Sequence, residues 1–256
     1  HFFLQTEFTG KVMINAFITV RSSSSRLPQK CFLPFGEVSV LGHIIKRVQY
    51  YGLEPIVCTT YDPEDDLIVD TASQLNVKCF RGSTVNKLLR WRDCCREFNI
   101  SAFHSVDADD PFFCGDEVKR SFALMETGYD MVEPSYSSSN GGATVGYSLS
   151  AEIVEKACIG LDESTDTEMM WYFIDRLPNI KKTRLQEMEI DQPTKLRLTL
   201  DYEEDYWLLE SVRRIVGNFA PRHEIDDLFV RNPDLYKINW FRNEEWKKAQ
   251  TDKNII

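Results

Sequence analysis

The chain has 256 residues, a length that suits one large domain and buries a sizeable core without a disulfide or zinc staple. Its formal charge of −10 excludes the basic face that nucleic acid requires, yet leaves room for a few cations to converge on a small anion. Seven cysteines without a C-x-x-C pair exclude a zinc or disulfide framework and point to reduced thiols in a cytoplasmic protein.

Residues 1–12 lack a secretory pattern and read as a leader before Met13, the natural start. One domain is expected over 13–245, with an excursion at 135–192 and a tail at 246–256. No apolar stretch reaches the ~20 residues that cross a bilayer, so no membrane insertion is expected. Residues 14–20 read as a buried strand. Ser39 is a helix cap, Leu41, Ile44, Ile45 and Val48 form the helix's apolar stripe, and Gly52 closes it. A second strand covers 55–60. Asp62-Pro63-Glu64-Asp65 then starts a helix that points Leu67, Ile68, Ala72 and Leu75 inward and stops near Asn76.

Residues 77–80 form the next strand, and Arg81-Gly82-Ser83 a turn with Gly82 at positive φ. A helix with Leu88, Leu89, Cys95 and Phe98 inward follows, then a strand over 102–106 and the acidic turn Asp107-Ala108-Asp109-Asp110-Pro111. A helix over 116–127 ends at Gly128, and 130–134 is a strand. Strands separated by helices of this length predict an α/β fold with a mainly parallel, doubly wound sheet. Residues 135–142 form a loop, 150–159 and 166–177 helices, and 181–190 and 195–200 strands. Asp201 opens a helix through Val216, with Glu204 completing a capping-box-like start. A last helix covers 223–231.

Arg21-Ser22-Ser23-Ser24-Ser25-Arg26-Leu27-Pro28-Gln29-Lys30 directly follows the first strand, where open α/β sheets bind ligands. Its serines offer successive amides and hydroxyls, and its three cations can converge on a polyphosphate. The alternative is a solvated serine turn. It is neither G-x-G-x-x-G nor a P-loop, which disfavours a dehydrogenase or P-loop ATPase. Mg²⁺ takes one or two carboxylates plus phosphate oxygens, and Asp109 and Asp201, each ending a predicted strand region, can supply them. Asp107 and Asp110 stay open as ligands in place of Asp109. His43, His104 and His223 lack metal-ligand spacing and read as structural.

The pattern R-x-x-S-x-R-L-P-x-K resembles the cytidylyltransferases that activate acidic sugars, among them SpsF-like spore-coat polysaccharide enzymes and the CMP-sialate and CMP-Kdo synthetases. Leu33-Pro34-Phe35-Gly36, Thr59-Thr60-Tyr61-Asp62-Pro63-Glu64-Asp65-Asp66, Phe80-Arg81-Gly82-Ser83, Asp109-Asp110-Pro111 and Leu198-Thr199-Leu200-Asp201-Tyr202-Glu203-Glu204-Asp205 continue the likeness in order. Ile225-Asp226-Asp227-Leu228 with Asn232-Pro233 closes it.

The resemblance implies a three-layer nucleotide-diphospho-sugar transferase-like (Rossmann-like) fold with a mixed sheet and helices on both faces, and a homodimer. Arg21, Ser23, Ser24, Ser25, Arg26 and Lys30 would bind the nucleotide, Arg81 and Ser83 its base, and Asp109 and Asp201 Mg²⁺. Arg21, Lys30, Asp109 and Asp201 would form the catalytic set. Tyr136, Asn140, Gly142 and Glu168 would meet the acceptor, with Met169 where the family carries a histidine. Ser23 and Gln29 replace frequent family glycines, and Thr84-Val85-Asn86 an acidic pair. The implied function is CTP-dependent activation of a 2-keto, nonulosonate- or Kdo-like sugar to its CMP-sugar, with release of pyrophosphate, for surface polysaccharide synthesis. A phosphonate acceptor, or a catalytically silent homologue with a binding or assembly role, is the alternative.

Overall fold

A computed structural model describes residues 13–135, 146–186 and 195–253. In chain order the elements are β1 (Asn15–Thr19), β2 (Pro34–Phe35), β3 (Val38–Ser39), α1 (Val40–Tyr50), β4 (Glu54–Thr60), α2 (Asp66–Gln74) and β5 (Lys78–Gly82). They continue with α3 (Lys87–Glu97), β6 (Ala102–Asp107), α4 (Gly115–Glu126), β7 (Met131–Glu133), β8 (Ser148–Ser150), α5 (Ala151–Ala157), α6 (Trp171–Ile174) and β9 (Lys182–Arg184). Helices α7 (Glu203–Val216), α8 (Arg222–Arg231) and α9 (Arg242–Lys253) close the described chain.

The main sheet has the strand order β5-β4-β1-β6-β8-β7-β9, with β8 antiparallel to both neighbours and the other pairings parallel. Alternation along β1 explains the layers. Ala16, Ile18 and Val20 join the core under α1, α7 and α8, whereas Phe17 faces the core under α3 and α5 and stacks on Phe103 at 4.1 Å. Both faces are therefore covered, as a parallel sheet requires. The chain leaves β1 toward β4 and later returns to β6 on its other side, so the ends of β1 and β6 form a switch-point crevice.

Local signals explain the first half. Ser39 caps α1 by accepting the Gly42 N–H, and Asp62 accepts from Glu64 N ahead of a short 3-10 turn that leads into α2. Several expectations need correction. Leu67 is exposed, because α2 begins only at Asp66 and turns that position outward. Arg81 and Gly82 belong to β5, and Gly82 is not at positive φ; a Cβ there would meet Arg90 and Phe80 at 2.9 Å. The helix expected over 166–177 is only Trp171–Ile174, since Asp166 accepts from Glu168 N and Thr167 is bonded to Asn86. Residues 195–200 form no strand: Leu196, Leu198 and Leu200 are buried, but of the ladder bonds only Leu200 N–H to the Asp109 carbonyl appears, at 2.7 Å. The expected strand over 181–190 is described as Lys182–Arg184, and 187–190 lie outside the described residues. Strands β2, β3 and β8 and helix α9 were not foreseen; α9 runs across position 245.

Arg47 ties the elements of the main core together. Fully buried, it donates to the carbonyls of Phe113, Asn218 and Ala220 at 2.9, 3.3 and 2.9 Å. Arg47→Met keeps the stem's packing but strands two buried acceptors, the carbonyls of Phe113 and Ala220. It should lower unfolding free energy by about 3 kcal/mol, read as a denaturant midpoint shift at constant slope.

Candidate active site

The basic serine loop leaves β1 at the crevice and is anchored by a residue that sequence reasoning missed. Asp65 is 1% exposed and accepts from Ser22 N at 2.8 Å, Ser22 Oγ at 2.7 Å, Thr59 Oγ1 at 3.0 Å and both Thr60 N and Oγ1. Burial pushes its carboxyl up, but the hydroxyls of Thr60, Ser22 and Thr59 and the Ser22 amide outweigh this and hold its pKa below the ordinary value. In the run Asp62-Pro63-Glu64-Asp65-Asp66 no one-dimensional signal distinguishes the buried acid from its solvated neighbours. The Ser22 amide and hydroxyl point at Asp65, which fixes the start of the serine run. Ser23 and Ser25 are exposed, and Ser24 Oγ accepts the Leu27 N–H at 3.4 Å. Of the two glycine replacements only Gln29 occupies left-handed backbone, at φ 52°; Ser23 does not.

Lys30 gathers the centre. Its Nζ donates to Asp109 Oδ2 at 2.9 Å, Asp201 Oδ1 at 3.0 Å and the Leu200 carbonyl at 2.8 Å. Arg26 donates to the same Asp201 Oδ1 at 2.7 Å. Burial alone would lower the Lys30 pKa, yet the Asp109 and Asp201 carboxylates reverse this and raise it above the ordinary lysine value. For Asp201, burial pushes up, while Lys30, Arg26 and Arg197 pull the pKa below the ordinary carboxylate range. Behind Asp201, the fully buried Arg197 is paired with Asp205 at 2.8 and 3.0 Å. Asp205 Oδ2 also accepts the Asp201 and Tyr202 N–H groups at 2.9 and 3.0 Å. The capping residue of α7 is thus Asp205 and not Glu204, which pairs with Arg242. One residue's shift in the cap frees the Asp201 carboxylate for the crevice.

The acidic turn supplies an all-oxygen donor cluster. Carboxylate oxygens of Asp107, Asp109 and Asp110 lie within 4.8 Å of one another, a hard donor set suited to Mg²⁺. Their environments differ. Asp107 is raised to about 6 by burial and by Asp109 and Glu168, against the pull of Lys87 and Lys30. Asp110 lies well above the ordinary value through burial and its two acidic neighbours. Asp109, the carboxylate Lys30 contacts, is partly open, as is Asp107, whereas Asp110 is buried.

Arg21 is exposed and lies 3.8 Å from Glu168, which also sits 3.9 Å from Lys87, a cation absent from the sequence reading. Asn86, at the family's acidic pair, caps α3 through Leu89 N and holds the Asp162 carbonyl and Thr167, fixing the segment that carries Glu168. Arg81 is engaged elsewhere, donating to the Thr60 and Asp62 carbonyls and to Asp66 at 2.8, 2.7 and 2.6 Å. Ser83 is buried and accepts the Asn86 N–H. The structure does not bring either to the Lys30 centre. Tyr136, Asn140 and Gly142 lie outside the described residues. His43 bonds the Pro111 carbonyl at 2.9 Å and His104 bonds Ser148 at 2.8 Å, both buried, as structural histidines do.

Asp65→Asn should destabilise the fold by about 2–4 kcal/mol at neutral pH, because an amide presents donors to donors. The sign with pH follows from the lowered folded pKa. The wild-type contribution is fully present above the unfolded value near ~3.9 and is lost as pH falls through the folded pKa. Chemical denaturation between pH 7 and 3 should therefore show the difference between wild type and variant shrinking at the acid end.

Comparison with known proteins gives these features a family. Residues 16–215 match the family described as cytidylyltransferase. An uncharacterised protein of Methanocaldococcus jannaschii is 26% identical over 236 residues, 88% of this chain and 94% of that protein. A cytidylyltransferase from Leptospira borgpetersenii superposes with a TM-score of 0.77 at 21% identity, covering 88% of this chain and 97% of that one. A CMP:2-keto-3-deoxy-manno-octonic acid synthetase in complex with CTP superposes with a TM-score of 0.58 at 11% identity, covering 79% and 99%. The mixed, mostly parallel sheet is the nucleotidyltransferase-like architecture expected from the motifs. With the family match spanning most of its length, the chain belongs to the cytidylyltransferases and is a nucleotidyltransferase.

Proposed function

We propose that the chain transfers the cytidylyl group of CTP to a hydroxyl of a small acidic sugar of the 2-keto type, releasing pyrophosphate, with Mg²⁺ as cofactor. The meeting of Arg26 and Lys30 with Asp109 and Asp201 at the crevice between β1 and β6 carries this reading. Phosphoryl-type transfer asks little covalent chemistry of a protein; it needs positioned cations and a shielded, oriented approach. The acceptor class draws support from the likeness to the 2-keto sugar acid synthetase and from Arg21 and Lys87 beside Glu168. Seven free cysteines without a disulfide suit a reducing cytoplasm.

In this mechanism the acceptor oxygen attacks the α-phosphorus in line. The new P–O bond forms as the bond to pyrophosphate breaks, and the hydroxyl proton passes to water. Arg26, Lys30 and Arg21 neutralise the charge that grows on the departing pyrophosphate. The amides of Ser23, Ser24 and Ser25 orient the phosphate chain. Asp109 and Asp201 would hold the Mg²⁺, which would supply Lewis-acid polarisation. Lys30 couples the two ligands. Its ammonium is bonded to both carboxylates, and a triphosphate competes for that same ammonium. Each phosphate contact Lys30 gains releases Asp109 and Asp201 toward a divalent cation, so nucleotide and metal reinforce each other's binding.

A thermal-shift panel of nucleoside triphosphates with and without Mg²⁺ tests the reading. CTP with Mg²⁺ should stabilise most, by about 2.7 kcal/mol at a hundred-fold excess over Kd, and CTP or Mg²⁺ alone far less. A protein indifferent to every nucleotide would overturn it. Asp201→Ala should cut pyrophosphate release by about a thousand-fold while unfolding stays cooperative. Lys30→Met should lower turnover by about a hundred-fold, yet let Mg²⁺ alone stabilise the protein, because the two carboxylates lose their internal counter-ion.

A further inference from the structure

The family match ends at residue 215, but the chain continues through α8 into residues 235–253, and this segment reaches back to the site. Arg26 has two described contacts at its guanidinium: the Asp201 carboxylate at 2.7 Å and the Tyr202 ring at 5.6 Å from its centroid. The C-terminal segment braces both. Arg242 lies over the same Tyr202 ring at 4.9 Å. It is fixed there by Glu204 at 3.0 and 2.8 Å and by Glu245 at 2.6 Å. Those two carboxylates neutralise Arg242, so it pins the ring without setting an uncompensated charge beside Arg26. On the other contact, the buried Asn239 donates to Asp205 Oδ1 at 2.9 Å and to the Arg197 carbonyl at 3.0 Å, and Asn243 accepts from Arg197 at 3.4 Å. Asp205 in turn holds the Asp201 backbone.

We propose that the segment beyond the family's matched range positions Arg26 for the nucleotide's phosphates, with Arg242 acting through the Tyr202 ring. The inference rests on the reading that Arg26 grips the triphosphate. An arginine at the rim of a crevice has many rotamers, and a flat ring held by Arg242 and by the buried Arg197, 5.7 Å from its centroid, selects the few in which the guanidinium faces inward. Arg242 and Tyr202 are positioning residues, because the geometry gives neither a direct role on the phosphates.

Calorimetric titration of the full chain with CTP and Mg²⁺ tests it, alongside steady-state kinetics. Arg242→Ala and Tyr202→Leu should each weaken CTP binding about five-fold, the scale of one cation–π contact, and Tyr202→Phe should bind as the wild type does. The nucleotide KM should rise and kcat should fall with it, because Arg26 also meets the departing pyrophosphate. Arg26→Ala should weaken binding by more than ten-fold, roughly the loss of one charge-assisted phosphate contact, and adding Arg242→Ala to it should change nothing further. A five-fold loss that persists without Arg26, or wild-type binding in both Arg242→Ala and Tyr202→Leu, overturns the proposal. Wild-type binding by Arg26→Ala alone fails the underlying reading instead, so the two failures are distinct. Should Arg242→Ala unfold, Tyr202→Leu and Tyr202→Phe decide the question.

Discussion

A single ammonium bridging two carboxylates organises the site. Lys30 lies 79 residues from Asp109 and 171 from Asp201, and its three contacts tie the loop after β1 to the turn after β6 and to the entry of α7. None of these segments has a ladder of its own to fix it. Asp109 and Asp201 would repel each other in a partly buried crevice without a cation between them, and Lys30 in turn would be driven neutral by burial without them. Each charge is compensated by the others, with Arg26 and Arg197 also neutralising Asp201, and the contact pins the three segments to one another.

The scaffold extends this compensation outward in alternating sign. Asp109, Lys30, Asp201, Arg197 and Asp205 follow one another, each contacting the next. The buried Arg197 and Asp205 satisfy their remaining donors and acceptors on Asn239, Asn243 and the α7 backbone, as buried ions must. On the far side of the loop, Asp65 plays the complementary part. It takes no cation at all and is stabilised by five hydrogen-bond donors from β4 and the loop itself. Rigid strands thus hold the loop at its start and salt bridges hold it at its end, leaving Ser23 to Ser25 between two fixed points.

How much of this was legible follows from how local each cause is. Strand β1, the Ser39 cap and the Asp62 start are written in neighbouring residues, and the αβ alternation they produce was readable together with the crevice it creates. So was the convergence of Arg26, Lys30, Asp109 and Asp201, because Arg26 and Lys30 lie in the loop after β1, Asp109 in the turn after β6, and Asp201 before a helix start. Causes that lie at a distance were not readable. Residues 195–200 carry strand-like alternation, but among the described residues no partner strand presents an edge to them. Asp205 displaced Glu204 from the cap because Arg197, four residues upstream of Asp201, needed a buried carboxylate. Strand β8 is three residues long and reads as the start of α5, since Ser150 serves both elements.

The acidic turn shows why three aspartates are needed where one would hold a cation. Packed within 4.8 Å, their charges cannot all be kept, so the most enclosed, Asp110, is pushed furthest toward its neutral form. Asp110 is also bonded to Thr199, whose hydroxyl opposes that rise. Asp107, at the end of β6, is raised less because Lys87 and Lys30 oppose the burial. Asp107 and Asp109 are both partly exposed, and Asp109 is the one that faces Lys30. The cluster thus has one buried member and two more open ones, a difference in depth that no order of Asp residues along the chain encodes.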